Sequence, residues 1–316
     1  MRDGNTLVGY GMATASYPAH RMAASARAVL QPDGTFVVQS GSQDIGTGTY
    51  TVMTQVAAET LGVPPAHVHF ELGDTRLPPA PVSGGSMSAA SVGPAVQAAC
   101  RQLRERLVSL AVADATSPVH GSPSSAVTID DGWMIVRDNP SRRETLAAFA
   151  ARHRQPLEAS AEAKPGDAKE RYALHSFGAV FAEVRVDPEL GVIRVPRVVA
   201  AYDIGRPLNL KTARSQMQGG IVWGVGFALL EETLLELRSG RIANANLAEY
   251  HVPVNADIQS IDVLFVDHPD YAFNPLGIRG IGEIGITGVP AALANAIHHA
   301  TGRRLRDLPI TLDKLL

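Results

Sequence analysis

Glu283 is the residue whose surroundings could do chemistry. Gly277, Gly280, Gly282, Gly285 and Gly288 fall within twelve residues around it, isoleucine fills most positions between, and the run leads into Pro290 and an alanine-rich segment. A carboxylate set among glycine and isoleucine loses hydration, which disfavours its charged form and raises its pKa toward neutrality. That is what a general base working near pH 7 needs. The plainer alternative is a solvated glutamate on a glycine-rich turn, the usual fate of this residue type. Three further turns carry chemistry of another kind. Gly46-Thr47-Gly48 stands between a strand-like and a helix-like run, residues 83–93 are mostly Ser, Gly and Ala and open a long helical pattern, and Asp203 and Gly205 precede a helical run through Gln216. Backbone amides at a helix N-terminus have no acceptor within the helix, sit at the positive end of its dipole and can hold phosphate, while glycine lets the backbone come close. Taken singly, each is also readable as a tight turn with an N-cap Ser or Thr. None is a nucleotide fingerprint, for Gly46-Thr47-Gly48 lacks the third glycine of a Rossmann turn and no Gly-Lys-Ser/Thr follows a glycine loop. Ser86 and Ser88 do not stand in a Gly-x-Ser-x-Gly elbow, which argues against a serine hydrolase.

The composition excludes several partners. With 28 Lys and Arg against 31 Asp and Glu, scattered and not blocked, the formal charge of −3 gives no reason to expect nucleic acid or a lipid surface. The most apolar run, residues 221–230, is about half the length that crosses a bilayer, and the N-terminus lacks the form of a signal peptide. The single cysteine, Cys100, rules out an intrachain disulfide and an iron–sulfur cluster held by this chain alone. His67 with His69, and His298 with His299, do not have the ligand spacing of a zinc site.

The elements that must position these residues follow from apolar periodicity, which switches between two and about 3.6 along the chain. The pattern predicts an α+β fold of mixed sheets packed with helices. Strands are expected at 35–39, 67–72 and 127–136, and a hairpin at 179–186 and 192–202 turns at 187–191. Helices are expected over Val52, Val56 and Leu61, from the 83–93 turn to about Val112, from Gln216 to Leu230, and after Pro290. A charged, alanine-rich stretch around Pro165-Gly166 reads as a boundary. It divides the chain into a first subdomain at 1–157, a linker at 158–171 and a second subdomain at 172–316.

The segments around Gln43 to Thr51, Gly84 to Gly93, Phe177 to Asp187, Ala213 to Gly220 and Gly280 to Gly285, in that order, resemble the molybdopterin-binding large subunit of the xanthine dehydrogenase/aldehyde oxidase family, nearest its periplasmic-type aldehyde oxidoreductases. The resemblance spans nearly the whole chain and implies two molybdopterin-binding subdomains. It implies that Glu283 is the catalytic base, and that Gly46, Thr47, Gly48, Ser88, Ala89, Ala90, Ser91 and Gln216 hold the pterin and its dinucleotide tail, molybdopterin cytosine dinucleotide. No side chain is expected to ligate the metal, since the pterin dithiolene holds molybdenum in this family. The implied reaction oxidises aldehydes to carboxylic acids with water as the oxygen source, with hydroxylation of N-heterocycles as the alternative within the family. A non-catalytic scaffold subunit retaining the fold is the alternative outside it. Thr47 stands where xanthine-oxidising members carry Gln, and Gly93 where some carry Ser, which turns the expectation away from a purine. Family large subunits have a long N-terminal half before the region of Gly9 to Ala13. The resemblance therefore implies a companion fragment supplying that half, with a 2Fe-2S subunit and an FAD subunit to carry electrons away. The compartment is left open between cytoplasm and a periplasm reached through a partner's export signal.

Overall fold

The computed structural model describes residues 1–316. The chain begins with β1 (Arg2–Asp3), β2 (Thr6–Pro18), β3 (Ala24–Leu30), β4 (Phe36–Gln39), α1 (Thr49–Leu61), β5 (Val68–Glu71) and α2 (Ser88–Ala113). Then come β6 (Val127–Asp130), β7 (Trp133–Val136), β8 (Asn139–Thr145), α3 (Leu146–His153), β9 (Leu157–Ala163) and the single turn α4 (Ala168–Arg171). The last part holds β10 (His175–Val186), β11 (Ile193–Asp203), α5 (Leu210–Leu229), β12 (Leu235–Glu236), β13 (Arg241–Ile242), β14 (Ile258–Phe265) and α6 (Val289–Thr301). This is the α+β architecture expected from the periodicity.

Two compact units form, one of residues 1–19, 174–269 and 281–316, the other of residues 20–173 and 270–280. The division near residue 173 lies close to the boundary read from sequence, but three features differ. The stretch taken for a linker contains β9, which pairs antiparallel with β3 from Leu30 opposite Leu157 to Ala24 opposite Ala163. Its inward positions after Leu157 are Ala159, Ala161 and Ala163 and its outward ones are Glu158, Ser160 and Glu162, so the alternation is genuine but carried by a weakly apolar residue. The first 19 residues join the later unit because β2 pairs with β10 along its length, from Leu7 opposite Val186 to Pro18 opposite His175. Residues 270–280, in turn, belong with the earlier segments.

In the first unit a sheet ordered β1-β2-β10-β11-β14 is antiparallel except for the parallel pair β11 and β14. Its inward residues Ala15, Val180, Val198, Ala200 and Tyr202 share a core with Met217, Ile221 and Val225 of α5 and Leu293, Ala296 and Ile297 of α6. Gly9 and Gly11 let α6 lie directly on β2, since an added Cβ would stand 2.0 Å and 2.2 Å from the carbonyl oxygens of Ala296 and Ala292. In the second unit the sheet β5-β4-β3-β9 packs against α1 and α2, and β6-β7-β8 forms a smaller sheet beside it.

Cys100 lies in the buried face of α2 with no exposed surface. Burial pushes its thiol up to about 12. The nucleophilic form is the thiolate, so the native protein should leave Cys100 unlabelled by a disulfide reagent between about pH 7 and 9, whereas denaturant should release one thiol per chain. Rapid labelling of the native protein would contradict this packing.

Candidate functional site

In the unit of residues 20–173 and 270–280, the turns before α1 and α2 lie side by side, because the side-chain carbonyl of Gln43 accepts the amide of Ser83 at 2.8 Å. Gly46 and Gly48 have φ of 100° and 83°, values that favour glycine. Asp44 folds over this helix start. Its carboxylate accepts the amides of Gly46 at 2.8 Å, Tyr50 at 3.2 Å and Gly48 at 3.3 Å. Desolvation works against the charged carboxylate, yet these amides together outweigh it and hold its pKa below the ordinary value. Amides that could have faced a phosphate are thus engaged by a carboxylate of the same loop, which leaves the exposed Thr47 at the apex as the group available to a ligand.

The start of α2 is built differently. No side chain caps it, so the amides of Ser88, Ala89 and Ala90, at the positive end of the helix, have no acceptor within it. Ala90 and Ser91 are fully buried. The Ser91 hydroxyl accepts the amide of Met22 at 3.0 Å, and the Ser88 hydroxyl donates to Ser83 Oγ at 3.0 Å. Ser91 is therefore a tie that holds the segment before β3 against α2. That tie places Arg21 nearby, a residue that periodicity and motif both missed. Arg21 Nη1 donates to the carbonyl of Phe273 at 3.2 Å, while Nε is buried without a partner. Burial lowers the pKa of this guanidinium. An orphaned buried donor is costly unless something accepts from it. An uncapped helix start with a guanidinium N–H to spare beside it fits an anionic, phosphate-bearing group.

Residues 270–280 close onto the same helix entrance. Asn274, buried, donates to the carbonyl of Ile278 at 2.6 Å and accepts the amide of Leu276 at 3.1 Å, which knits this loop. An added Cβ at Gly280 would stand 1.7 Å from the carbonyl oxygen of Ser86, and one at Gly93 would stand 2.7 Å from Leu276 Cδ1. Gly93 thus has a packing reason to lack a side chain.

In the other unit Gln216 and Glu283 come together. Gln216 Nε2 donates to the carbonyl of Gly282 at 2.7 Å, immediately before Glu283. The buried Tyr202 hydroxyl, whose pKa burial raises, donates to the carbonyl of Gly285 at 3.3 Å. Between these bonds the backbones of α5 and the loop touch, since a Cβ on Gly220 would lie 2.7 Å from Gly285 Cα. Along the loop Gly282 is exposed, Glu283 half-buried and Ile284 fully buried. The apolar shell around Glu283 is therefore one-sided, and the carboxylate stands at the edge of a backbone rigidly fixed to α5. No group of three or more His, Cys, Asp or Glu side chains is placed to hold a metal ion.

Residues 1–259 match the family of the molybdopterin cofactor-binding domain, and the chain belongs to that family. It is a member of the xanthine dehydrogenase/aldehyde oxidase group of molybdenum-binding large subunits. Over 316 residues it is 40% identical to the aldehyde oxidoreductase molybdenum-binding subunit PaoC of Escherichia coli, covering 100% of this chain and 41% of that protein. It is 32% identical over 327 residues to the putative xanthine dehydrogenase molybdenum-binding subunit XdhA of the same organism, covering 99% of this chain and 42% of that one. The fold matches that of quinoline 2-oxidoreductase from Pseudomonas putida with a TM-score of 0.85 at 24% identity, over 98% of this chain and 42% of that one. The chain thus spans about two fifths of the length of the curated relatives it matches.

Two measurements check this geometry. Asp44→Ala should cost about 1 kcal/mol, as the loss of a helix cap does. Because the folded pKa is depressed, the difference should be full above about pH 4 and should fade as pH falls through the folded value. Replacing Gly by Ala within a helix ordinarily gains about 0.5–1 kcal/mol. Gly219→Ala, where an added Cβ meets nothing within 4 Å, should show that gain, whereas Gly220→Ala should lose about 1–3 kcal/mol by overpacking against Gly285. Equal urea midpoints for the two variants would contradict the backbone contact.

Proposed function

We propose that this chain is the portion of a molybdenum hydroxylase that carries the general base and one wall of the cofactor cleft, and that it oxidises aldehydes to carboxylic acids with water as the oxygen source. The observation that carries this reading is the fastening of the Glu283 loop to α5 through Gln216, Tyr202 and the contact of Gly220 with Gly285. A half-buried carboxylate on so fixed a backbone can be aimed within the fraction of an ångström that proton transfer needs. The 40% identity to an aldehyde oxidoreductase subunit supports the substrate class. A second reading, hydroxylation of an N-heterocycle, draws support from the 32% identity to a putative xanthine dehydrogenase subunit.

The balanced conversion takes RCHO and H2O to RCOOH, two protons and two electrons. When bound, the molybdenum cofactor supplies the two-electron oxidation, with its metal held by the pterin dithiolene. Glu283 takes the proton released as the oxygen of water bonds to the carbonyl carbon. The amides of Ser88, Ala89 and Ala90, with Arg21 Nε as a further donor, would hold the phosphates of molybdopterin cytosine dinucleotide. Thr47, at the apex of the Gly46-Thr47-Gly48 turn, and the remaining amide hydrogen of Gln216 are offered to the pterin. Electrons leave through 2Fe-2S and FAD subunits, and an N-terminal molybdopterin-subunit portion supplies the opposite wall. No helix here is long and apolar enough to cross a membrane, and either a cytoplasmic or an exported complex suits this assignment.

The test is Glu283→Gln in the assembled, molybdenum-loaded complex. The amide keeps the size and hydrogen bonding of the side chain but cannot take a proton, so turnover of aldehydes should fall by about 100- to 10,000-fold with metal content unchanged. Parallel assays with aldehydes and N-heterocycles separate the two substrate readings. Near-normal turnover of both would leave Glu283 a loop residue and favour a scaffold role for the chain.

A further inference from the structure

The carbonyls of residues 282–285 are hydrogen-bonded one after another. That of Gly282 accepts from Gln216 Nε2 at 2.7 Å, and that of Glu283 accepts the amide of Ile286 at 3.3 Å. The carbonyl of Ile284 takes two donors from one residue, the amide of Thr287 at 3.2 Å and its hydroxyl at 2.9 Å. The carbonyl of Gly285 accepts from the hydroxyl of Tyr202 at 3.3 Å.

The two hydroxyls bear on Glu283 through the backbone. The oxygen of Gly285 and the amide hydrogen of Ile286 lie at opposite ends of one planar peptide unit. Tyr202 holds the oxygen end and the carbonyl of Glu283 holds the hydrogen end. That plane cannot rotate without breaking one of the two bonds. Thr287 acts one peptide earlier, where its hydroxyl and amide close together on the carbonyl of Ile284, the residue next to Glu283.

Neither hydroxyl is needed to fill space. Tyr202 has no exposed surface, and its ring sits over Gly178, its partner across β10 and β11, where an added Cβ would stand 2.6 Å from Tyr202 Cδ1. A phenylalanine ring would occupy the same seat. Burying a hydroxyl costs about as much as one neutral hydrogen bond returns, so the oxygen of Tyr202 contributes direction and little stability. The seat is firm, because β11 is paired on both sides, with β10 and with β14. At the half-buried Thr287, valine would supply the same shape without the hydroxyl.

We infer that the hydroxyls of Tyr202 and Thr287 are positioning groups for Glu283, which fix the peptide units that follow it and so set where its carboxylate stands toward the substrate. The inference rests on the hydroxylase reading above, in which Glu283 takes a proton. A base moved by a fraction of an ångström loses rate and leaves substrate affinity alone.

Amide exchange of the full chain, measured without cofactor, tests the hold on the loop. In Tyr202→Phe and in Thr287→Val the amides of Ile286 and Thr287 should exchange at least about tenfold faster than in the unsubstituted protein, while those of Val180 and Val198 in the sheet keep their protection and report an intact fold. Thr287→Ser, which retains the hydroxyl, should restore slow exchange. Unchanged exchange at 286 and 287 in both hydroxyl-deleted variants would overturn the assignment. In the assembled, molybdenum-loaded complex each of the two should lower kcat by about 10- to 100-fold with KM and metal content unchanged. Adding either to Glu283→Gln should cost nothing further, since groups that act through one residue are not additive. A rise in KM alone, or a full additional loss on Glu283→Gln, would also overturn it. If Glu283→Gln abolishes turnover while both hydroxyl-deleted variants keep the unsubstituted rate, the positioning assignment fails and the base reading stands. If Glu283→Gln turns over normally, the base reading fails and the hold on the loop stands or falls by amide exchange alone.

Discussion

The approach of two backbones, at Gly220 on α5 and Gly285 in the loop, is the constraint from which the arrangement around Glu283 follows. A side chain at Gly220 would keep the loop off the helix, and one at Gly285 would crowd Met217 at 3.2 Å. With both absent, the loop comes near enough for Gln216 to reach the carbonyl of Gly282 and for Tyr202, from beneath, to reach that of Gly285. Each bond is worth about 1 kcal/mol on its own, too little to order a loop. Their effect lies in removing the loop's freedom at two points on either side of Glu283, so the backbone that carries the carboxylate is fixed. Burying Ile284 and leaving Gly282 exposed completes the orientation.

The two helix starts in the other unit show how one sequence pattern can meet opposite electrostatic fates. Both α1 and α2 begin after turns rich in Gly, Ser and Thr. At α1 the carboxylate of Asp44 satisfies three amides and supplies the negative charge that the helix dipole favours. At α2 no side chain does so, and Arg21 adds a buried donor that lacks an acceptor. The first start is electrostatically complete as it stands. The second keeps donors that lack an acceptor.

How much of this was legible in the sequence depended on how local the signal was. α1 ends at Gly62, whose φ of 75° and amide bonded to the Ala58 carbonyl give a left-handed cap, and α6 begins at Gly288 with proline in its first turn. Such punctuation is readable one residue at a time. The pairing of β2 with β10 joins residues more than 150 positions apart, and nothing in either strand names its partner. β9 reads as linker in the sequence because alanine alternating with glutamate and serine buries little apolar area per residue, so its strand character comes from pairing with β3 and not from its own composition. Arg21 was invisible for a similar reason. A single arginine between two loops acquires meaning only when Ser91 fixes Met22 and Phe273 arrives from a distant segment.

Four of the five glycines in the run around Glu283 are accounted for by backbone conformation or packing. Gly277 adopts a φ of 69°, Gly280 meets the carbonyl of Ser86, Gly285 lies on Met217 and Gly220, and Gly288, with a φ of 86°, lies 2.8 Å below the Thr14 carbonyl by the position its Cβ would take. Steric necessity therefore explains these glycines without any reference to a ligand, and a glycine-rich motif by itself is no measure of cofactor binding. It explains the isoleucines too, since Ile278 and Ile284 are buried and Ile281 packs against the core. What packing does not require is an ionisable side chain at position 283. A threonine or alanine there would meet the same backbone constraints with less desolvation, so backbone packing alone does not select the glutamate.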